Sequence, residues 1–246
     1  MNVEANAAVS PEVFERTARV ESHQIGADST MHLSGLLRME QETGEEHMDA
    51  VGLGYEKMYH DGIALLITEN AVEVQRRPIR NENLRIVTRA LGTAGVHLYR
   101  DFTFYSGEEQ IAHILQASVG VDCRTHRPMR PEEALFHYHV FPQSILPREQ
   151  RVTKLRVNEE LPPLGERPVR YSDLDMNHHL NNTIYGDIVE DFLPEQYKEW
   201  KKVHISYMAE AVLGDMLQVQ GERRKNGFLM AGRKQGIRSF AALVQC

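Results

Sequence analysis

Hydrophobic positions along this chain fall into two similar blocks. Each opens with a His-Leu pair, continues with apolar residues at helical spacing and ends in alternating apolar and polar positions. In the first block the pair is His32-Leu33, followed by Leu33, Leu36, Leu37 and Glu40. In the second it is His179-Leu180, and Leu180, Ile184, Ile188 and Phe192 recur every fourth residue, which places them on one face of a helix. Asn181 or Asn182 is expected to cap that second helix, over 181–192, and Pro194 marks its end.

Extended segments follow each helix. Val72 and Val74, then Arg77-Pro78-Ile79, then Leu84 and Ile86 in the first block are matched by Ile205 and Tyr207, Glu210-Ala211-Val212, and Leu217 and Val219 in the second. A polar turn falls at the same place in both, Asn81-Glu82 and Gly214-Asp215. Further alternation runs through Val96, Leu98, Phe102 and Phe104, with Arg100 the polar exception, then Leu115, Ala117, Val119 and Val121, and in the second block Ile237, Ala241 and Leu243. Period-two patterning punctuated by glycine turns specifies half-buried antiparallel strands. Each block therefore reads as one helix followed by several strands. The fold expected is α+β, made twice, with a sheet wrapped over a central helix in each unit. Periodicity fades from about residue 130 to 164, where Pro131, Pro142, Pro147, Pro162 and Pro163 collect. This divides the chain into an N-terminal unit at 1–140, a linker at 141–164 and a C-terminal unit at 165–246.

Composition narrows the functional classes. The chain has 246 residues, 41% of them hydrophobic and 26% charged, as in ordinary globular proteins. No apolar run approaches the roughly 20 residues needed to span a bilayer. The first residues, MNVEANAAVSPEVFER, lack the basic and apolar regions of a secretory signal and the Arg/Ser bias of a transit peptide. The two cysteines, Cys123 and Cys246, form no CxxC pair, so a reducing, cytoplasmic setting is expected. A net charge of −7 argues against nucleic acid or a membrane surface as the main partner.

Candidate chemistry concentrates in one segment, RYSDLDMNHHLNNTIYGDIVE, from Arg170 to Glu190. Asp173, Asp175, Asn177, His178, His179, Asn181 and Asn182 crowd there just ahead of a helix start. Free backbone N–H groups and a positive dipole end at such a place suit developing negative charge. The plain alternative is a turn with an Asx cap. His178-His179 and His137-x-His139 lack zinc spacing and a cysteine partner, so no metal is expected, and no cofactor.

The run Asp173-Leu174-Asp175-Met176, then His179-Leu180-Asn181-Asn182 and Tyr185, resembles the signature of hotdog-fold thioesterases. Asp175-x-Asn177-x-His179 with Asn181-Asn182 is more specifically similar to the acyl-acyl carrier protein (acyl-ACP) thioesterases, the plant fatty acyl enzymes and their bacterial relatives. The resemblance implies a double hotdog, two tandem units each with a long central helix wrapped by an antiparallel sheet. It also implies that Asp175, Asn177 and His179, with Glu210 from Tyr207-Met208-Ala209-Glu210, carry the catalysis. Plant members have a cysteine after that glutamate. Here the position is Ala211, which removes a cysteine nucleophile at this site and leaves a water-based hydrolysis.

In that scheme Glu210 activates or holds water, His179 contacts the water or the leaving group, and Asp175 orients His179. Asn177 positions the water or the thioester carbonyl, and backbone N–H groups at the helix start hold the oxyanion. The first block has Asp28, Thr30 and His32, without the paired Asn, and Arg77 at the place of Glu210. The expected division is a catalytic C-terminal unit and an N-terminal unit that shapes an acyl tunnel. Asn181, Asn182, Met31, Leu36 and Met39 are expected to contact substrate, with Met48, Leu53 and Ile67 as further tunnel candidates; plain core packing is the alternative for these apolar residues.

The resemblance implies as partner an acidic acyl carrier protein bearing the chain on 4'-phosphopantetheine. Basic docking groups are available at Arg76/Arg77/Arg80, Arg124/Arg127/Arg130, Lys198/Lys201/Lys202 and Arg223/Arg224/Lys225. A homodimer is allowed by the sequence but not specified. Two other readings remain open: an acyl-CoA thioesterase, which shares the D-x-D-x-x-x-H-L-N-N run, and a non-catalytic acyl-binding regulatory module. A hydratase or dehydratase is a weaker third.

Overall fold

A computed structural model describes residues 12–246. The leader region considered above rests mainly on residues 1–11, which lie outside them. The N-terminal unit comprises strand β1 (Val13–Arg19), helices α1 (Leu33–Ala50) and α2 (Tyr55–His60), strands β2 (Ile63–Val74), β3 (Asn83–Ala94), β4 (His97–Ser106) and β5 (Glu109–Asp122), and the short helix α3 (Pro131–Ala134). The C-terminal unit comprises β6 (Pro163–Pro168), α4 (Ile184–Phe192), β7 (Lys202–Tyr207), β8 (Met216–Arg224), β9 (Gly227–Lys234) and β10 (Ile237–Gln245).

These strands make one ten-stranded sheet in the order β1-β3-β4-β5-β2-β7-β10-β9-β8-β6. All its ladders are antiparallel, and the units meet where β2 pairs with β7, Asn70 opposite Ile205 and Val72 opposite Val203. Helices α1 and α4 share the inner face. Leu33, Leu36 and Leu37 of α1 and Ile188 and Val189 of α4 join Val72, Ile86, Phe102, Phe104, Ile205 and Phe240 in one core that spans both units. At their crossing the helices touch through backbone: a Cβ added at Gly186 of α4 would lie 2.7 Å from the Ser34 amide nitrogen. The fold expectation holds, with α4 half the length of the eighteen-residue α1.

The proline-rich linker lies on the outer face. Leu146 and Val152 pack on Tyr99 and Ala117 of the first unit, and Val157 and Leu161 on Ala231 and Ala241 of the second. That face explains the weak periodicity. The segment follows the sheet surface, pairs with it at a single parallel bridge from Ile145 to Thr93 of β3, and joins no named strand ladder until β6 begins at Pro163.

Arg100, the polar exception in the β4 alternation, is buried against α1, where it donates to Thr88 Oγ1 (3.2 Å) and lies 2.7 Å from His47 Nδ1. Burial draws its guanidinium down to about 10. Nearby, Glu40 accepts from Asn70 Nδ2 (3.3 Å) and from Gln116 Nε2, and burial pushes its carboxyl up to about 8. The helical spacing had placed Glu40 on the inward face. The partners that make its burial tolerable come from β2 and β5.

The internal repeat is real but its register shifts. In the first unit Ile25 bridges Met31 and Thr30 bridges Ile79; in the second Leu174 bridges Leu180 and His179 bridges Val212. Thr30 therefore stands where His179 stands, and His32 where Asn181 stands. The two His-Leu pairs, which look equivalent in sequence, differ by two residues in space. Arg77 does occupy the place of Glu210, two residues before the bridging Ile79.

Candidate functional site

The segment after the 3-10 turn Tyr171–Asp173 is a tight loop held by its own acids. Asp173 is buried, and Arg167 grips it with two bonds of 2.9 Å while the Arg170 N–H donates to it at 2.8 Å. Burial alone would raise its carboxyl, but these donors outweigh it and hold the group below its ordinary value. Asp173 is thus a structural acid. Asp175 Oδ1 accepts from the backbone N–H of Asn177 (2.8 Å) and of His179 (3.0 Å). It holds the His179 main chain, and through it the place from which the ring projects. His178 takes the left-handed conformation, φ 64°, that closes the turn and turns its own side chain to solvent.

The loop then docks on the segment after β7. Leu180 N–H donates to Ala211 C=O (2.7 Å), and His179 bridges Val212. That pairing sets Glu210 beside His179, with Nε2 and Oε2 3.3 Å apart. The imidazole is about a third exposed and the carboxylate about half, so the pair faces solvent at the mouth of the loop. Beneath it, Tyr207 donates to Asn182 C=O (3.3 Å) and stacks edge-on with Tyr185 at 5.4 Å. Tyr185 in turn bonds Ser239 Oγ (2.9 Å), which donates to Ala209 C=O (2.8 Å). Burial raises both phenols, Tyr185 to about 12. The two motif tyrosines therefore tie the start of α4 to the strand end that carries Glu210.

Helix α4 starts later than its apolar spacing implies. Thr183 occupies the cap position, and Asn181 Oδ1 accepts from the Thr183 N–H and hydroxyl, both at 2.8 Å. Asn181 shapes an Asx turn ahead of the helix, and neither it nor Asn182 is the cap. The N–H groups of Asn177, His179, Leu180, Asn181, Thr183 and Ile184 are all engaged inside the protein. The Asn182 N–H has no partner among the described residues, so it is the backbone donor that the helix start leaves for an oxyanion.

Asn177 is exposed and meets the other unit: Tyr55 of α2 donates its hydroxyl to Asn177 Oδ1 at 2.7 Å. Nothing near Tyr55 in sequence marks it, since the contact joins residues from different units. The equivalent locus in the first unit has no such pair. Arg77 binds Asp28 there, lies 3.7 Å from Glu190 Oε1 and sits over the Trp200 ring, and His32 Nδ1 is 3.1 Å from Glu190 Oε2. The tunnel candidates separate. Met31, Leu36 and Met39 lie fully in the shared core beside Leu180 and Tyr185, whereas Met48 and Leu53 belong to a second cluster under α2. No helix among the described residues is long and apolar enough to cross a membrane.

The family model for the acyl-ACP thioesterase N-terminal domain matches residues 11–138, and that for the acyl-ACP thioesterase C-terminal domain matches residues 163–240. A dodecanoyl-[acyl-carrier-protein] hydrolase of Cinnamomum camphora is 22% identical over 84% of this chain and 58% of its own. An oleoyl-acyl carrier protein thioesterase of Arabidopsis thaliana is 24% identical over 80% of this chain and 59% of its own. The chain thus spans less than two thirds of the length of these relatives. Among solved structures, an acyl-ACP thioesterase from Bacteroides thetaiotaomicron superposes with a TM-score of 0.83 at 17% identity, covering 95% of this chain and 97% of the other. The 12:0-ACP thioesterase of Umbellularia californica superposes at 0.78 with 21% identity, covering 95% and 96%. At these identities the superpositions establish the shared double-hotdog fold. With both family models matched in order along one sheet, the chain belongs to the acyl-ACP thioesterase family.

Proposed function

We propose that the protein hydrolyses fatty acyl-ACP thioesters, releasing a free fatty acid and the carrier thiol. The observation that carries this reading is the 3.3 Å contact of His179 with Glu210 at an open loop mouth, beside Asn177. Glu210 accepts a proton from water as the water attacks the thioester carbonyl. The carbonyl oxygen becomes an oxyanion, the C–S bond then breaks, and the proton that Glu210 took from water passes through His179, 3.3 Å away, to the leaving thiolate, which restores both groups. A positioned acid–base group of this kind contributes roughly 10²–10⁴-fold. Thioesters carry a good leaving group, so no covalent intermediate is required. Ala211 stands where a cysteine nucleophile would be, Cys123 follows β5, and Cys246 lies against Gln196 C=O.

Charge favours an acidic protein carrier on one basic patch. Arg76, Arg77 and Lys202 are tied to carboxylates, Lys198 and Lys201 to backbone carbonyls, and Arg224 to Glu159 and Glu222. Arg80, Arg223 and Lys225 are also exposed without an ion pair among the described residues, but Arg124, Arg127 and Arg130 make up the candidate group of which this holds for every member. Their loop follows Cys123, whose N–H donates to Gly62 C=O just past α2, the helix that reaches Asn177. A carrier seated there would have its prosthetic arm at the same end of the sheet as the catalytic loop.

The test is turnover of one acyl chain on carrier protein and on CoA. Faster hydrolysis on carrier protein supports the reading, and a preference for CoA replaces it with the acyl-CoA alternative. Acyl binding with no turnover on either carrier would leave only the regulatory module.

A further inference from the structure

We infer that Tyr55 is a positioning residue of the active site, contributed by the N-terminal unit, which turns the Asn177 amide so that its Nδ2 hydrogens face the substrate carbonyl. This deepens the thioesterase reading and rests on it. The argument starts from donor and acceptor chemistry. Asn177 Oδ1 can only accept, so at 2.7 Å the Tyr55 hydroxyl is the donor. With Oδ1 held, the amide presents its two N–H donors away from Tyr55. A donor suits the oxygen that gains charge when water attacks a thioester, and it repels nothing there. An amide turned the other way would offer an acceptor, suited to holding water and poorly suited to a carbonyl oxygen. The contact thus selects the carbonyl as the Asn177 target. It also supplies a side-chain oxyanion donor where most backbone N–H groups ahead of α4 are engaged elsewhere.

Tyr55 is displayed from a well-anchored platform. Met58 on the same short helix is buried in a core with Leu53, Ile63 and Leu98. The Tyr55 ring stacks on Tyr59, centroids 5.9 Å apart. Asp61 after the helix pairs with Lys57 and accepts from Tyr138, which follows α3. Those bonds draw Asp61 below its ordinary value, and burial together with the bond to Asp61 pushes Tyr138 up to about 12. The anchored helix fixes the Tyr55 backbone, and the stack on Tyr59 favours the rotamer that carries its hydroxyl to Asn177.

The degenerate locus shows what the cross-unit bond avoids. There Asp28, in the place of Asn177, is taken by Arg77, in the place of Glu210, so the two potential catalytic positions bind each other. In the C-terminal unit Asn177 is held from across the molecule by Tyr55, which leaves Glu210 to His179.

The test is a double-mutant cycle with dodecanoyl-ACP, read as thiol release. Tyr55→Phe keeps the stack on Tyr59 and removes only the hydroxyl. It should lower kcat by roughly 3- to 10-fold, the effect of one neutral hydrogen bond, with KM and the melting temperature unchanged. In an Asn177→Ala background the same change should have no further effect, because Tyr55 acts through Asn177. An unchanged kcat, or an equal loss in both backgrounds, overturns the inference. If the wild-type protein hydrolyses no acyl thioester, the function reading fails, and the contact is then read by NMR. The Asn177 side-chain amide pair, assigned by its loss in Asn177→Ala, should shift in Tyr55→Phe; a pair that stays in place overturns the positioning role.

Discussion

His179 and Glu210 are thirty-one positions apart in the chain, yet their side chains lie 3.3 Å apart, because Leu180 N–H and Ala211 C=O close the loop onto the strand end between them. That backbone bond adjoins both residues, so the pair is set by main-chain geometry and not by side-chain packing. Replacing either side chain should therefore leave the fold intact. We expect Glu210→Gln and His179→Ala each to reduce kcat on acyl-ACP by roughly 10²–10⁴-fold. Their melting temperatures should stay close to wild type, because both groups are well exposed. Near-wild-type turnover in both variants would remove the pair from the mechanism.

The basic loop at Arg124, Arg127 and Arg130 gives a prediction on carrier choice. Changing all three to Glu should raise KM for acyl-ACP several-fold and flatten its dependence on salt, since exposed charges steer association and are screened by ions. Hydrolysis of the same chain on CoA should change little. An equal KM increase on both carriers would show that the loop touches the pantetheine arm or the acyl chain, not the carrier protein.

Glu40 ties stability to pH. Its carboxyl lies near 8 in the folded state against an ordinary value of 4.5, chiefly through burial, although Gln116, Asn70 and Arg100 favour its charged form. Between those values the folded protein keeps a proton that the unfolded chain has released. The contribution is therefore fully present below about pH 4.5 and is lost as pH rises toward 8, where it levels off. Glu40→Gln removes the titration and keeps a neutral side chain of the same shape. Denaturant unfolding should show the variant gaining on wild type between about pH 5 and pH 8, by an amount of order 5 kcal/mol at most. A parallel pH dependence in the two proteins would mean that Glu40 is already ionised when buried.

Gly186 tests the contact between the units. A methyl group there would meet the Ser34 amide nitrogen at 2.7 Å, and backbone at that distance cannot step aside as a flexible side chain could. Gly186→Ala should cost about 1–3 kcal/mol by forcing α4 off α1. Calorimetry that finds the variant equal to or more stable than wild type would show that the helices have room to separate.

Much was legible in the chain alone because its determinants are local. Period-two alternation marked the strands, a polar turn at Asn81-Glu82 recurred at Gly214-Asp215, and the crowding of Asp175, Asn177 and His179 marked the loop. Local signals also misled where two readings share one pattern. The repeated His-Leu pair suggested a register that the bridges of Thr30 and His179 shift by two residues. The leucine and isoleucine spacing extended α4 back to Asn181, whereas the Asn181 side chain bonds Thr183 and delays the helix.

What the sequence by itself determined is the inventory: two helix-and-sheet units, and one loop rich in groups that move protons or hold a carbonyl. Only the tertiary structure decided which of those groups act together. It placed Asp175 on backbone N–H groups, engaged most of the helix-start donors, and brought Tyr55 from the other unit onto Asn177. The reason is physical. Strand and helix patterns arise between residues a few positions apart, while hydrogen-bond partners are chosen by distance in space, and no periodicity in the chain records a contact between residues 55 and 177.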